Sequence, residues 1–381
     1  MEALLEGLLA LTWQSFIMMA IGGILIFLAV KKEYEPMLLL PIGFGAILVN
    51  LPLATVWEFE SHPGVLQIFY NAGILTELFP VLIFVAVGAM IDFSVLLKSP
   101  KMLFLGAAAQ FGIFATVLVV ILLGDFFPGL NIDLFVAAAI GILGTADGPT
   151  AIFVASRFAP DLLGPIAVAA YSYMSLVPII QPPVIRALTT KEERCIRMDF
   201  SDKKISKTAL IMFPIVVTII AGIISPVAVP LVGLLMFGNL IRVSGVLERL
   251  SQSAQNELAN LVTLLLGITI GATMHYERFL QPTTLIVLSL GLVAFILDTA
   301  GGVIFVKVLN LFPSKTKINP MVGAAGISAF PMSARVVQKM AAEEDPTNFI
   351  LMPAVSANVA GQVASAIAGG LVLALVPWLL G

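Results

Sequence analysis

Gly144-Thr145-Ala146-Asp147-Gly148-Pro149-Thr150 places a carboxylate and a chain break together in the middle of a long apolar run. Lipid tolerates neither. An acid at the centre of a span costs about 2.5–3.5 kcal/mol on insertion scales, so it calls for a partner or a water-filled cavity. The Gly-Pro step beside it breaks a helix and frees backbone carbonyls. The stretch predicts an ion-binding site inside a membrane, built on a broken helix.

The composition agrees with that setting. Of 381 residues 59% are hydrophobic and only 11% charged, with a mean hydropathy of +1.06, far more apolar surface than a globule of this length needs for its core. The chain reads as an all-α polytopic membrane protein. A formal charge of -3 implies no nucleic acid partner. Two histidines make a His-based metal site a poor reading, and the single Cys195 excludes an internal disulfide or a cysteine cluster. The first apolar stretch lacks a basic leader and a small-residue cleavage site, so residues 16–30 read as a retained first span.

Apolar runs at 16–30, 37–53, 79–97, 102–123, 163–185, 210–224, 227–241, 261–274, 285–308 and 349–380 predict about ten spans, several shorter than the ~20 residues of a clean crossing. Two more runs, 134–158 and 319–340, are interrupted near their centres by Gly, Pro and polar residues. They read as re-entrant hairpins or broken helices. Basic residues collect in short cytoplasmic loops. Arg186, Lys191, Arg194, Arg197, Lys203, Lys204 and Lys207 therefore place that loop inside, as do Lys31, Lys32, Lys98 and Lys101 for theirs, whereas Glu58, Glu60, Asp125 and Asp133 mark outside loops. A single crossing by 134–158 would deliver the basic loop to the wrong side, and a hairpin entering from outside repairs the parity. Lys307, Lys315 and Lys317 put the second hairpin's entry inside. The expected organisation is a first repeat over 1–190 with its broken segment at 134–158, a basic cytoplasmic connector at 191–207, and an upside-down second repeat over 208–381 with its broken segment at 319–340. In inverted repeats, broken helices from both halves meet at the midplane to hold ions.

Sodium is a hard cation and takes carboxylate, amide, hydroxyl and carbonyl oxygens. Thr145, Asp147 and Thr150 supply such oxygens in the first broken segment, Asn319, Ser328 and Ser333 in the second, and Ser356 and Asn358 in the last span. A lone Ser or Thr in a helix more often bonds a local carbonyl. Arg335 follows Ser328 and Pro331, and its fork of donors suits a carboxylate or carbamate, although a positive-inside anchor reads equally well. Tyr173 sits mid-span with Tyr171 and Ser172, ahead of Pro178, Pro182 and Pro183, where a phenol can relay a proton or simply pack. Asp298, beside Gly301 and Gly302, is a second intramembrane acid, whereas Asp92 reads as interfacial.

Three long segments carry a resemblance: GILGTADGPTAIFVASRFAPDLLGPIAVAAYSYMSLVPIIQPP, NPMVGAAGISAFPMSARVVQ and MPAVSANVAGQVASAI. Through them nearly the whole chain resembles the β subunits of the sodium-pumping, biotin-dependent decarboxylases, which act on oxaloacetate, methylmalonyl-CoA or glutaconyl-CoA. The resemblance implies a subunit that takes carboxybiotin from a mobile carrier, releases carbon dioxide, consumes a proton and exports sodium. Asp147 matches the family's sodium-linked acid, with Thr145 beside it, and Tyr173 and Ser328 match positions of proton and sodium handling. Asn319, Gly323 and Arg335 match the polar motif of the second hairpin, Asn319 and Arg335 being expected at the carboxybiotin. Asn358 falls on the family's second broken segment and is expected to add an amide oxygen. The partners implied are a biotin carrier that keeps the biotin on its own chain, a carboxyltransferase α subunit, a small single-span subunit and other copies of the chain, in a bacterial or archaeal cell membrane. From the residues alone, a sodium-coupled carboxylate transporter remains an equal reading of the fold, since it uses the same broken helices. A passive anchor fits less well, because it needs no polar residues inside its spans.

Overall fold

In hydrocarbon every backbone polar group must be satisfied within the chain, and apolar runs of this length therefore become helices. The computed structural model describes residues 6–7, 9–59, 62–126, 132–200, 204–312 and 317–380. The charge markers Glu60, Lys203 and Lys315 lie outside them. Among the described residues six helices are long and apolar enough to cross a membrane: Trp13–Lys32, Met102–Gly124, Lys207–Ile224, Pro226–Ser244, Pro282–Leu309 and Leu351–Leu380. Two bent pairs, Val65–Ile74 with Leu78–Met90 and Pro160–Met174 with Leu176–Leu188, turn by 62° and 68° and raise the count to eight. Pro36–Asn50 and Leu134–Thr145 are shorter apolar helices. The chain is an all-α membrane protein, apart from a two-stranded turn of Glu58–Phe59 against His62–Pro63.

Local chemistry sets the boundaries. Thr12 caps the first long helix through the Ser15 amide at 3.1 Å, and Ser206 caps Lys207–Ile224 through Ala209 at 3.2 Å. Pro36 and Pro282 open their helices, where a missing N–H does no harm.

Two expectations change. Residues 79–97 are not one span: the helix stops at Met90, Ile91 is extended, and Asp92 accepts the Ser94 amide at 3.0 Å to start the short helix Ser94–Lys98. Its missing length comes from the other end, where Val65–Ile74 approaches through a π turn. Leu351–Leu380 runs unbroken through Asn358, so that residue does not sit on a broken segment. Its prolines, Pro353 and Pro377, fall in the first and last turns, and the polar stretch between them holds no proline.

The packing couples the two halves crosswise. Pro36–Asn50 packs on Ala259–Ala272, and Leu78–Met90 on Val229–Ser244. Leu163–Leu188 packs on Pro282–Leu309, while Leu351–Leu380 packs on Met102–Ala109. Glycines let these backbones meet: a Cβ on Gly88 would lie 1.8 Å from Leu235 O, and one on Gly238 2.0 Å from Val85 O. Residues 191–200 are docked rather than loose. Arg186, Arg194 and Arg197 pair with Glu343, Glu344 and Asp345 at 2.9, 2.7 and 2.8 Å, and Lys307 reaches Glu193 at 3.2 Å.

Candidate functional site

The first interrupted segment runs as a helix Leu134–Gly141, tightens into a 3-10 turn Ile142–Thr145, and reverses at Ala146, whose φ of 50° is left-handed. Asp147 then caps the helix Gly148–Phe158. Its carboxylate is 5% exposed and sits at the helix's positive end. Thr150 donates to it twice, from the amide at 3.4 Å and the hydroxyl at 2.7 Å. Ser365, from the last long helix, adds a hydroxyl at 2.7 Å. No Lys or Arg pairs with this acid among the described residues.

The second segment, the short helix Pro320–Ala324, an irregular stretch and the helix Met332–Glu344, meets the first at one backbone bond: the Ser328 amide donates to Thr145 O at 2.9 Å. The last helix braces this junction. Ser328 Oγ donates to Gly361 O at 2.9 Å, Gln362 Nε2 donates to Ser328 O, and Asn358 Nδ2 donates to Ile327 O at 2.6 Å. Asn358 Oδ1 is buried without a hydrogen-bond partner. A cavity of about 250 Å³ reaches the junction, lined by Asp147, Tyr171, Ser328, Phe330, Pro331 and Gln362. The site thus gathers a carboxylate, hydroxyls, an amide oxygen without a donor and main-chain carbonyls, a hard-cation donor set.

Asp147 and Ser328 line one cavity, and Asn358 meets Ile327, the residue before Ser328. Thr145 joins through its backbone, while its hydroxyl donates to Ile142 O at 2.8 Å and accepts the Asp147 amide at 3.1 Å. The others stand apart. Tyr173 donates to Leu288 O, and it is Tyr171 whose ring packs on Gly148 and faces the cavity. Asn319 caps its helix and donates to Arg194 O and Ile196 O at 2.9 and 2.8 Å, tying the second segment to the connector. Arg335 is exposed, one turn beyond the cavity-lining Pro331. Ser333 donates to Gln181 Oε1 at 3.0 Å and Ser356 to Val95 O at 2.9 Å. Ser365 and Gln362 went unread in the sequence, although 358, 362 and 365 fall at the i, i+4, i+7 spacing of one helix face.

A multi-helix membrane chain with a buried carboxylate at the meeting point of two interrupted helices defines the class of ion-translocating membrane proteins. The chain belongs to the family described as Na+-transporting oxaloacetate decarboxylase beta subunit, whose model matches residues 14–376. It is 50% identical to the glutaconyl-CoA decarboxylase subunit beta of Acidaminococcus fermentans, over 97% of this chain and 96% of the relative. It is 48% identical to the methylmalonyl-CoA decarboxylase subunit beta of Propionigenium modestum, with the same coverage of 97% and 96%. Identity to the oxaloacetate decarboxylase beta chain 2 of Salmonella typhi is 45%, over 98% of each. The family is the membrane subunit of sodium-pumping decarboxylases, which decides against a secondary carboxylate transporter and a passive anchor.

Proposed function

We propose that this chain decarboxylates carboxybiotin presented by a partner and couples the step to sodium export at the Asp147 junction. The observation that carries the reading is the buried carboxylate, held by Thr150 and Ser365 and facing a cavity shared with Ser328. Sodium, as cargo, is taken by Asp147 with the oxygens of Ser328, Asn358 and Thr145. The carbamate of carboxybiotin is an anion, and exposed Arg335 meets it at the cytoplasmic side of the second segment, which Asn319 fixes to the connector. Cleavage of the N–C bond releases carbon dioxide and leaves the electron pair on the ureido nitrogen, which takes a proton. Tyr173 passes that proton on this reading, with Tyr171, which lines the cavity, as the second phenol available.

Coupling requires that sodium and proton bind two arrangements of the same element unequally. The two broken segments are that element. The crosswise packing of the halves, in which each pairing recurs with the halves exchanged, supports an inverted repeat over 1–190 and 208–381 with 191–207 between them. The partners proposed are a biotin carrier, a carboxyltransferase α subunit, a small single-span subunit and further copies of the chain, in the cell membrane.

The test is reconstitution of the complex with carboxylated biotin carrier, following carbon dioxide release and sodium uptake into inverted vesicles. Asp147→Asn is expected to abolish both while the complex still assembles. Sodium-stimulated turnover close to wild type in that variant sinks the assignment.

A further inference from the structure

Asp298 takes no part in the cluster just described. It lies within Pro282–Leu309, is fully buried, and neither carboxyl oxygen has a hydrogen-bond partner. The Ile113 amide faces it but donates to Gln110 O at 3.1 Å. Two glycines from other segments enclose the carboxyl. A Cβ on Gly112 would lie 1.9 Å from Asp298 Oδ1, and one on Gly144 2.9 Å from Oδ2. Gly144 belongs to the 3-10 turn that leads into Asp147, so Asp298 abuts the back of the first broken segment.

Three more buried oxygens on these elements lack partners: Thr116 Oγ1, Thr299 Oγ1 and Gln110 Oε1. Thr116 stands one turn from Gly112 on the same helix, Thr299 follows Asp298, and Gln110 precedes Gly112 at the bend. No side-chain cation offsets the acid. Met102–Ala109, Phe111–Phe126, Leu134–Gly141, Ile142–Thr145 and Pro320–Ala324 all pack against this helix and contain no Lys, Arg or His. Their one acid, Asp125, falls at the far end of its helix. Leu163–Leu188 contributes Tyr171, Tyr173 and Arg186, the last near its end and paired with Glu343. Lys307, on the helix of Asp298 itself, is held by Glu193 and by Leu188 O.

A bare carboxylate in that position would cost several kcal/mol with nothing to offset it. We propose that Asp298 is a second monovalent-cation site, separate from Asp147, whose carboxyl holds one proton or one sodium ion when the first broken segment rests against it. Occupancy neutralises the carboxyl and permits the dry contact with Gly112 and Gly144. Loss of the cation leaves a charge that draws water into the contact and favours withdrawal of the segment.

The test uses the assembled complex with sodium chloride as the only probe, this chain carrying carbon-13 aspartate and its partner subunits unlabelled. Bound sodium is counted by equilibrium with the radioactive ion, and the carboxylic-acid carbonyl stretch is read by infrared spectroscopy. Sodium occupancy predicts one bound ion fewer in Asp298→Asn. Proton occupancy predicts an unchanged count and the loss of one labelled carboxylic-acid band. Should Asp298→Asn fail to assemble, Asp147→Asn decides, because Asp298 is then the buried aspartate left among the described residues: a labelled acid band or a bound ion there supports the site. An unchanged ion count with an unchanged band in Asp298→Asn, or neither signal in Asp147→Asn, overturns it. The outcome is independent of whether Asp147 binds sodium.

Discussion

Ser365→Ala isolates one donor of the Asp147 cluster. Its hydroxyl has one proton and two acceptors in reach, Asp147 Oδ2 at 2.7 Å and Gln362 O at 3.1 Å. The charged, shorter contact wins while the carboxylate is empty. When sodium occupies the carboxylate, the proton can turn to Gln362 O and the oxygen can present a lone pair to the ion. Alanine loses both roles. The lone-pair contact with the ion has to exceed the hydrogen bond it replaces, and an excess of about 1.5 kcal/mol raises the sodium concentration giving half-maximal turnover about tenfold. Ser365→Thr, which keeps the hydroxyl, should stay close to wild type. The assay is carbon dioxide release from carboxylated biotin carrier by the complex across a sodium titration, with assembly checked on the same preparation. A half-saturating concentration within about twofold of wild type in assembled Ser365→Ala, a difference of only about 0.4 kcal/mol, refutes the reasoning.

Asn358→Leu removes the unpartnered Oδ1 and the donor to Ile327 O together; weaker sodium stimulation should accompany a loss of about 1–3 kcal/mol in stability, read by thermal unfolding in detergent. Gly238→Ala forces a Cβ to within 2.0 Å of Val85 O and should destabilise the fold by about 1–3 kcal/mol without altering half-saturating sodium. The docked connector is a pH-insensitive contact over the ordinary range. Hydrogen bonds from Thr347 and Arg197 hold the Asp345 carboxyl down from 3.8 to about 2. A lowered folded value gives stability that is present above 3.8 and disappears as pH falls toward 2, so proteolysis of 191–200 should stay constant from neutral pH to about 5 yet quicken with salt, which screens these exposed pairs. Faster cleavage on mild acidification alone would count against this docking.

Much of the site was legible because membrane burial makes each polar residue conspicuous. Asp147 beside Gly148-Pro149 announced a break, and the structure shows it and adds that Asp147 caps the helix beyond. Ser328 followed from the second interrupted run. Partnership across the chain was less visible: Ser365 and Gln362 lie in a Gly- and Ala-rich helix, where each reads as a local bond, and their bearing on Asp147 depends on how Leu351–Leu380 crosses the junction. Which of Tyr171 and Tyr173 borders the Asp147 helix was hidden for a similar reason. The two residues differ by about 200° around a helix, so only the packed orientation tells which ring faces Gly148. The span boundaries near Asp92 depended on an Asx turn that hydropathy does not register.

The position of Ser328 explains why this site needs two interrupted segments. A single broken helix frees carbonyls that water or neighbours must satisfy. Here the Ser328 amide takes Thr145 O, and Gln362 takes Ser328 O, so each break is closed by another part of the junction. Ions compete for those same carbonyls. If the proposed sodium site is right, pulling Ser328 from Thr145 would expose oxygens beside Asp147, and a shift of one segment would change ion affinity without any side chain leaving the site. Asn358, with its amide on Ile327 O and its own oxygen without a partner, would move with that choice. A substitution that spares every proposed ligand yet stiffens the Thr145–Ser328 contact should then slow sodium transport and decarboxylation together.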